Sequence, residues 1–112
     1  MVKVIITPRL EEEINKKFKS ESVKIFELMF SLKESPHKGK ELGQVGDILI
    51  KELRYNSFRF YFLTDGYKLK FLKKEELENL LIKFVRMSDK KAQQKVIDEI
   101  KDALRKLGPE SF

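Results

Sequence analysis

Charged and apolar residues alternate along two neighbouring runs in the middle of the chain, and this alternation gathers four groups suited to phosphate chemistry. Glu52 and Arg54 occupy alternate positions of the first run, and Arg59 and Tyr61 do so in the second. Because the side chains of a β-strand point alternately to its two faces, each pair shares a face. A two-residue hairpin loop at Asn56-Ser57 places Arg54 opposite Arg59. The same register places Glu52 opposite Tyr61, so the sequence predicts that all four groups lie together.

Two guanidinium groups held side by side can stabilise the negative charge that develops on phosphoryl oxygens when a phosphodiester is cleaved. Glu52 is diagonal to Arg59, so its carboxylate can offset the repulsion between the two like charges and act as a general base. Tyr61 can stack on a nucleobase or donate a proton, although a reference pKa of about 10 makes tyrosine a weak acid. The alternative is a salt-bridge network on an exposed sheet face, which contributes little and has no function.

These residues need a scaffold, which Ile48–Leu72 is predicted to supply as a three-stranded antiparallel meander. Its second turn is assigned to Asp65-Gly66, a pair that suits the positive φ angles of a type I′ turn. In this register one face is almost wholly apolar and consists of Leu53, Tyr55, Phe58, Phe60, Phe62, Tyr67, Leu69 and Phe71. The other face adds Lys68 and Lys70 to the charged residues, and these lysines are candidate RNA contacts through the phosphate backbone.

Two helices are predicted to cover the apolar face of the meander. Val2–Thr7 is a β-rich run that joins the sheet as a strand. Thr7 caps a helix that begins at Pro8, and a second helix ends near Lys33. Residues 35–47 contain one proline and three glycines, and they are predicted to form an exposed loop.

The C-terminal third is predicted to contain a strand at Leu80–Arg86 and an amphipathic helix. Ser88 or Asp89 begins this helix, and Gly108-Pro109 ends it after Leu107. Its apolar stripe consists of Ala92, Val96, Ile100, Ala103 and Leu107. The predicted fold class is therefore α+β, with an N-terminal strand and helical hairpin packed on a twisted, mainly antiparallel sheet of four to five strands, followed by the C-terminal helix.

Composition narrows the possible functions. A chain of 112 residues, 41% of them hydrophobic, is expected to form a single domain over residues 1–112, with one core. One histidine and no cysteine exclude a zinc centre and a disulfide framework, and no metal or cofactor is expected. The apolar runs are too short for a signal peptide or a membrane span, which favours the cytoplasm. A net charge of +6 favours a polyanionic partner.

Three local strings and the order of the predicted elements resemble the RelE/ParE toxin superfamily. The strings are KELR at Lys51–Arg54, FRFYF at Phe58–Phe62 and LIKFVRMSDKKAQQKVIDEI at Leu81–Ile100. Within the superfamily the chain looks most like the HigB-type or phage-derived Gp49-like branch. There, a leucine-arginine strand, an aromatic-arginine strand and a lysine-rich C-terminal helix follow in this order.

The resemblance implies a toxin that a cognate antitoxin protein neutralises in a hetero-oligomer. RelE-like members cut mRNA in the ribosomal A site and so inhibit translation, while ParE-like members poison DNA gyrase. By this resemblance, Arg59 matches the arginine that contacts the scissile phosphate, and Arg54 matches a basic position on the preceding strand. Arg86, with Lys90 and Lys91 beyond it, lies where the family places further catalytic or RNA-contacting cations.

The sequence departs from the family near its C-terminus. Many members carry a histidine or tyrosine there as acid or base, whereas the last tyrosine of this chain is Tyr67. Three functions therefore stay open. The leading hypothesis is a metal-independent, ribosome-dependent mRNA endonuclease, and the alternatives are a ParE-like gyrase inhibitor and a non-catalytic member that binds RNA or a partner protein.

Overall fold

The computed structural model describes residues 1–112, which form five strands, four α-helices and short 3-10 turns. In chain order the strands and helices are β1 (Lys3–Ile6), α1 (Pro8–Phe18), α2 (Ser22–Phe30), β2 (Lys40–Val45), β3 (Ile48–Tyr55), β4 (Phe58–Asp65), α3 (Gly66–Phe71), β5 (Leu81–Asp89) and α4 (Gln93–Leu107). All five strands join one sheet in the order β1-β5-β4-β3-β2. β1 runs parallel to β5, and the other neighbours are antiparallel. The predicted α+β class and the mainly antiparallel sheet are confirmed.

The β3–β4 hairpin forms in the predicted register. Asn56 adopts a φ of 54°, the left-handed conformation that a tight two-residue loop requires and that asparagine tolerates. Arg54 then lies opposite Arg59, and Glu52 lies opposite Tyr61. The turn and the alternating pattern agree, so both specify the same pairing.

The predicted second hairpin is wrong. Asp65 does not enter a turn between strands; its carboxylate Oδ1 accepts a hydrogen bond from the backbone N–H of Lys68 at 3.0 Å and caps α3. The expected third strand is therefore a short helix, on which Tyr67 and Phe71 are exposed and Leu69 is buried. The second neighbour of β4 is β5 instead.

The predicted loop at residues 35–47 is also only partly right. Its second half, β2, is a strand that pairs with β3 at the edge of the sheet, with a register shift between Glu41 and Gly43. Lys40–Val45 has few β-branched or aromatic residues, so its own propensity for strand is weak. Hydrogen bonding to the exposed edge of β3 decides its conformation.

Helices cover both faces of the sheet, and the hydrophobic core is consequently divided in two. The first helical hairpin, α1 and α2, packs on the predicted apolar face; the main members of this larger core are Leu10, Ile14, Ile25, Met29, Leu53, Phe60, Phe62 and Phe84. The second core, on the opposite face, consists of Ile50, Tyr61, Leu63, Val85, Val96, Ile97, Ile100 and Leu104. The expectation of one core is thus corrected, because α4 covers much of the face that carries the charged residues.

The predicted start of α1 is confirmed, whereas α4 begins a few residues later than predicted. At α1, the Thr7 hydroxyl accepts the backbone N–H of Leu10 at 3.4 Å, and Pro8 occupies the first position as expected. At α4, Asp89 caps a preceding turn through the N–H of Ala92, so the helix itself begins later, at Gln93. Of the predicted stripe, Val96 and Ile100 are buried, whereas Leu107 is exposed. None of the helices combines the length and the apolar character that crossing a membrane requires.

Gly39 fixes the approach of β2 to the hairpin. It has a φ of +105°, and a Cβ atom at this position would lie 2.9 Å from the carbonyl oxygen of Glu52 and 3.0 Å from the ring of Phe62. We expect Gly39→Ala to lower the free energy of unfolding by about 2–3 kcal/mol, because both the backbone strain and the clash must be relieved. Urea denaturation measures this loss.

Gly46 provides the matched control for this substitution. It also has a positive φ, of +57°, but a Cβ atom added there would meet no other atom within 4 Å. Gly46→Ala is therefore expected to lower the free energy of unfolding by only about 1 kcal/mol, the cost of the left-handed conformation alone. Equal losses for the two variants would contradict the close contact at Gly39.

Candidate functional site

Two rows of directly opposed residues cross the sheet on the face that α4 covers. The first row consists of Lys40, Glu52, Tyr61 and Arg86 from four successive strands. The second row consists of Arg54, Arg59 and Ser88. Directly opposed residues of a sheet are close neighbours on one face, so the strand register by itself brings these side chains together.

Glu52 lies between the two arginines. Its carboxylate oxygen Oε2 is 3.6 Å from Nε of Arg54 and 3.7 Å from Nε of Arg59. Its other oxygen, Oε1, accepts a hydrogen bond from the Gln93 side-chain amide at 3.2 Å. This geometry agrees with the predicted role of the carboxylate as the group that offsets the like charges of the arginines. We call Glu52, Arg54 and Arg59 the arginine cluster.

The members of the arginine cluster differ greatly in exposure. The side chain of Glu52 is 0% exposed and that of Arg59 is 7% exposed, whereas that of Arg54 is 53% exposed. A solvent molecule or a ligand therefore reaches the cluster first at Arg54. The alternative of a salt-bridge network on an exposed sheet face does not hold for the other two residues, because both are buried, and Glu52 contacts Gln93 at the start of α4.

Two atoms of the cluster have no hydrogen-bond partner. They are Oε2 of Glu52 and Nε of Arg59, the two buried side-chain nitrogen or oxygen atoms of the chain in this condition. Their separation of 3.7 Å is too long for a hydrogen bond, and the other contact of Arg59 is from Nη1 to the Ser57 carbonyl at 3.1 Å. Buried groups of this kind usually find a partner. Nε of Arg59 is therefore a free donor for an anion, whereas Oε2 of Glu52 can only accept a hydrogen bond.

Tyr61 is fully buried, which contradicts its predicted contact with RNA. Its hydroxyl donates to the Ser88 hydroxyl at 2.7 Å, since Ser88 in turn donates to the Asp89 carbonyl. The ring contributes to the second core and offers no surface on which a base can stack. Burial also raises the pKa of the Tyr61 hydroxyl above its ordinary value, and the nearby Glu52 charge acts in the same direction. Tyr61 is therefore an even weaker acid here than in solution.

Three of the predicted cations lie near the end of the sheet that carries Arg54. They are Arg86, Lys90 and Lys91. Arg86 is partly exposed and pairs with Glu99 of α4, with 3.0 Å between Nη2 and Oε1. Lys90 and Lys91 are exposed in the segment between β5 and α4 and form no ion pair. Because Asp89 is opposite Phe58, this segment lies near the loop of the β3–β4 hairpin.

Lys68 and Lys70 do not belong to this group. Both lie on α3, which follows the far end of β4. Asp65 is six residues beyond Arg59 along that strand, a distance of about 20 Å at the usual rise per residue. The predicted position of Lys68 and Lys70 is wrong because it depended on the second hairpin, which would have brought the two lysines onto the charged face of the sheet.

Two neighbours of the cluster were not identified from the sequence. Lys40 lies directly opposite Glu52 on β2, and its place in a predicted loop concealed this position. Gln93 contacts Glu52 across 41 residues of sequence, and no local pattern marks such a pair. His37, the single imidazole, lies outside the cluster and contacts the Leu69 carbonyl through Nε2 at 2.9 Å.

No protein-family model matches this chain, and no match was found among curated proteins or solved structures. Function must therefore be inferred from the side chains and their arrangement. The arrangement is one half-exposed and one buried guanidinium group around a buried carboxylate, with unpaired lysines nearby. Such a site is suited to bind a phosphate and to stabilise negative charge that forms on it.

Proposed function

We propose that this chain is the toxin of a type II toxin–antitoxin system and belongs to the RelE/ParE superfamily. It acts in the cytoplasm as a metal-independent endonuclease that cuts mRNA on the ribosome and so inhibits translation. The observation that carries this proposal is the arginine cluster, in which one carboxylate holds two arginines on a face flanked by free lysines. The N-terminal strand, the helical hairpin, the β3–β4 hairpin, the later strand and the basic C-terminal helix follow in the order on which the resemblance rests, with α3 in place of the expected third meander strand.

In the proposed reaction the 2′-OH of a nucleotide attacks the adjacent phosphorus, and the bond from phosphorus to the 5′-oxygen breaks. Negative charge grows on the phosphoryl oxygens in the transition state. Arg54 contacts these oxygens from the solvent side, and the free Nε of Arg59 donates to them once the cluster is uncovered. Preorganised donors of this kind typically lower a barrier by about 3–4 kcal/mol each.

Glu52 is the group of the cluster that takes part in proton transfer in this proposal. Glu52 is the carboxylate predicted as general base, but in this structure its first role is to hold both guanidinium groups. Its burial requires that it be uncovered before it can accept a proton from the 2′-OH. Arg86 adds positive charge at the edge of the site, and solvent water protonates the departing 5′-oxygen.

The lysines contribute affinity in this proposal. Lys90 and Lys91, together with Lys40, contact backbone phosphates on either side of the scissile position, which increases binding without reading the base sequence. The same cations offer a docking surface for an acidic segment of the antitoxin, which would occupy the phosphate positions and block access. A groove beside the helices is the second proposed contact of the antitoxin.

A non-catalytic function is the second candidate, and the burial of Arg59 and Tyr61 favours it. In that case Arg54 and the neighbouring lysines bind RNA or a partner protein, and the buried ion pairs only maintain the fold. Overexpression would then leave growth unaffected, while RNA binding would weaken steeply with added salt. A gyrase inhibitor would instead arrest growth with signs of DNA damage and with intact mRNA.

The test is induced expression of the full chain combined with mapping of mRNA ends. We expect growth arrest and cleavage of translated mRNA. Arg54→Ala should reduce the cleavage rate by about 100-fold or more, the usual effect of removing one such donor. Arg54→Ala with Arg59→Ala should abolish both cleavage and growth arrest.

Arg9→Ala is the matched control, because Arg9 is an exposed arginine of α1 that forms one surface ion pair with Glu13. It should cleave and arrest growth like the parent chain. If the double variant of Arg54 and Arg59 folds and is as toxic as the parent, the arginine cluster is not the active site.

A further inference from the structure

α3 presents an exposed pair of aromatic rings outside the arginine cluster. Tyr67 is 60% exposed and Phe71 is 71% exposed, and they lie four residues apart on one side of the helix. Their ring centroids are 5.1 Å apart, with an angle of 38° between the ring planes. The pair forms an aromatic surface in solvent, and such rings are usually placed inside a core or an interface.

The surroundings of the two rings are strongly basic. Residues 67–74 contain four lysines and no acidic residue; the lysines are Lys68, Lys70, Lys73 and Lys74. None of them forms an ion pair within the chain. The acidic residues that follow are Glu75, Glu76 and Glu78, of which Glu76 turns back to accept the backbone N–H of Lys73 at 2.9 Å.

The helix that carries the rings is fixed from three sides. Leu69 is buried in the larger core, and its carbonyl contacts Nε2 of His37. Asp65 caps the N-terminus of the helix, and the Lys70 ammonium donates to the Gln44 side chain at 3.2 Å. The rings are thus held in place without being covered, so a ligand would not have to order them first.

Exposed aromatic rings among unpaired cations are the combination by which proteins bind single-stranded nucleic acid, because bases stack on the rings while the cations contact phosphates. A protein partner would need a wider apolar surface, since a stable interface buries about 800 Å² per partner. The other exposed large apolar side chains lie on other elements of the fold. We propose that α3 is a binding site for single-stranded RNA, separate from the arginine cluster.

The binding experiment uses the full chain and a 2′-O-methyl oligonucleotide of about 12 nucleotides, within the usual range of site sizes of about 4–16 nucleotides. Without a 2′-OH the strand cannot undergo the proposed cleavage, so binding is read separately from catalysis. Fluorescence anisotropy of the labelled strand should show that Tyr67→Ala with Phe71→Ala raises Kd by about tenfold or more. Leu107→Ala, at an equally exposed apolar residue of α4, should leave Kd unchanged.

The contributions of the aromatic rings and of the lysines to RNA binding can be measured separately. Lys70→Gln with Lys73→Gln and Lys74→Gln should reduce the slope of log Kd against log salt concentration by about 2, since each phosphate that a lysine neutralises contributes about 0.7 to that slope. The chain has no tryptophan, so Phe71→Trp introduces a single tryptophan, whose emission can be excited separately from that of the tyrosines. Its emission should be quenched by the oligonucleotide if a base stacks on the ring.

An unchanged Kd in the double aromatic variant, together with no quenching at the introduced tryptophan, would overturn the proposed RNA site. Loss of binding to a partner protein with unchanged RNA binding would assign α3 to a protein interface instead, and would equally overturn it. In the Phe71→Trp chain, the further change Arg54→Ala, which costs little stability, should leave the quenching by the oligonucleotide intact. The α3 site and the proposed cleavage can thus fail independently of each other.

Discussion

Glu52→Ala should lower the free energy of unfolding by about 3–5 kcal/mol, although the residue contributes no apolar side chain to either core. The substitution leaves the Arg59 guanidinium with 7% of its side chain exposed and with no carboxylate nearby. It also leaves the Gln93 amide without its acceptor. A buried charge without a counter-charge is among the largest penalties that one substitution can create. Urea denaturation followed by circular dichroism measures the loss.

Variants of Arg54 and Arg59 distinguish the loss of a counter-charge at Glu52 from a simple loss of packing. Arg54→Ala removes the half-exposed arginine and should cost below about 1 kcal/mol, as surface ion pairs do. Glu52→Leu combined with Arg59→Met should recover most of the lost stability, because apolar residues of similar size often replace a buried ion pair without loss. If Glu52→Ala with intact Arg59 were as stable as the parent, the ion pair would not be buried in solution.

Phe60→Ala should have an effect of the same size, about 3–5 kcal/mol, for a different reason. Phe60 is 0% exposed at the centre of the larger core, where its ring contacts Phe18 of α1 with 6.1 Å between centroids. Removing the ring leaves a cavity between the sheet and the helical hairpin that rigid backbone elements cannot close. Thermal and urea denaturation should both report the loss.

Phe71→Ala is the informative control, because a three-stranded meander would place Phe71 opposite Phe60 in the same core. In the structure Phe71 lies on α3 and is 71% exposed, so its truncation should change stability by less than about 0.5 kcal/mol. Similar losses of stability in Phe60→Ala and Phe71→Ala would contradict helix α3 and favour the predicted third strand. The comparison therefore tests the largest difference between the expected and the observed topology.

The arginine cluster is not optimised for stability. The buried Glu52 carboxylate accepts a hydrogen bond from Gln93 of α4, yet two atoms of the arginine cluster, Oε2 of Glu52 and Nε of Arg59, lack hydrogen-bond partners. Sites that are not optimised for stability are common where a protein binds or transforms a ligand. The stability of Arg54 and Arg59 variants should therefore be measured in the same experiments that test the proposed cleavage and growth arrest.

Local sequence signals determined those parts of the fold in which neighbouring residues interact. The Asn56-Ser57 loop and the alternation around it fixed the β3–β4 register, and hence the meeting of Glu52 with both arginines. Thr7-Pro8 likewise placed the start of α1. In each case a turn or a cap acts over a few residues, so the chain carries the complete information locally.

Tertiary contacts alone decided the rest. Asp65 suits a hairpin turn and a helix cap equally well, and the pairing of β4 with the distant β5 left no edge for a third meander strand. β2 became a strand because β3 had a free edge, and α4 covered the charged face because Ile50, Leu63 and Val85 needed burial there. The burial of Glu52 and Arg59 follows from that helix, since a pattern of residue types states which face a side chain is on but not what covers the face.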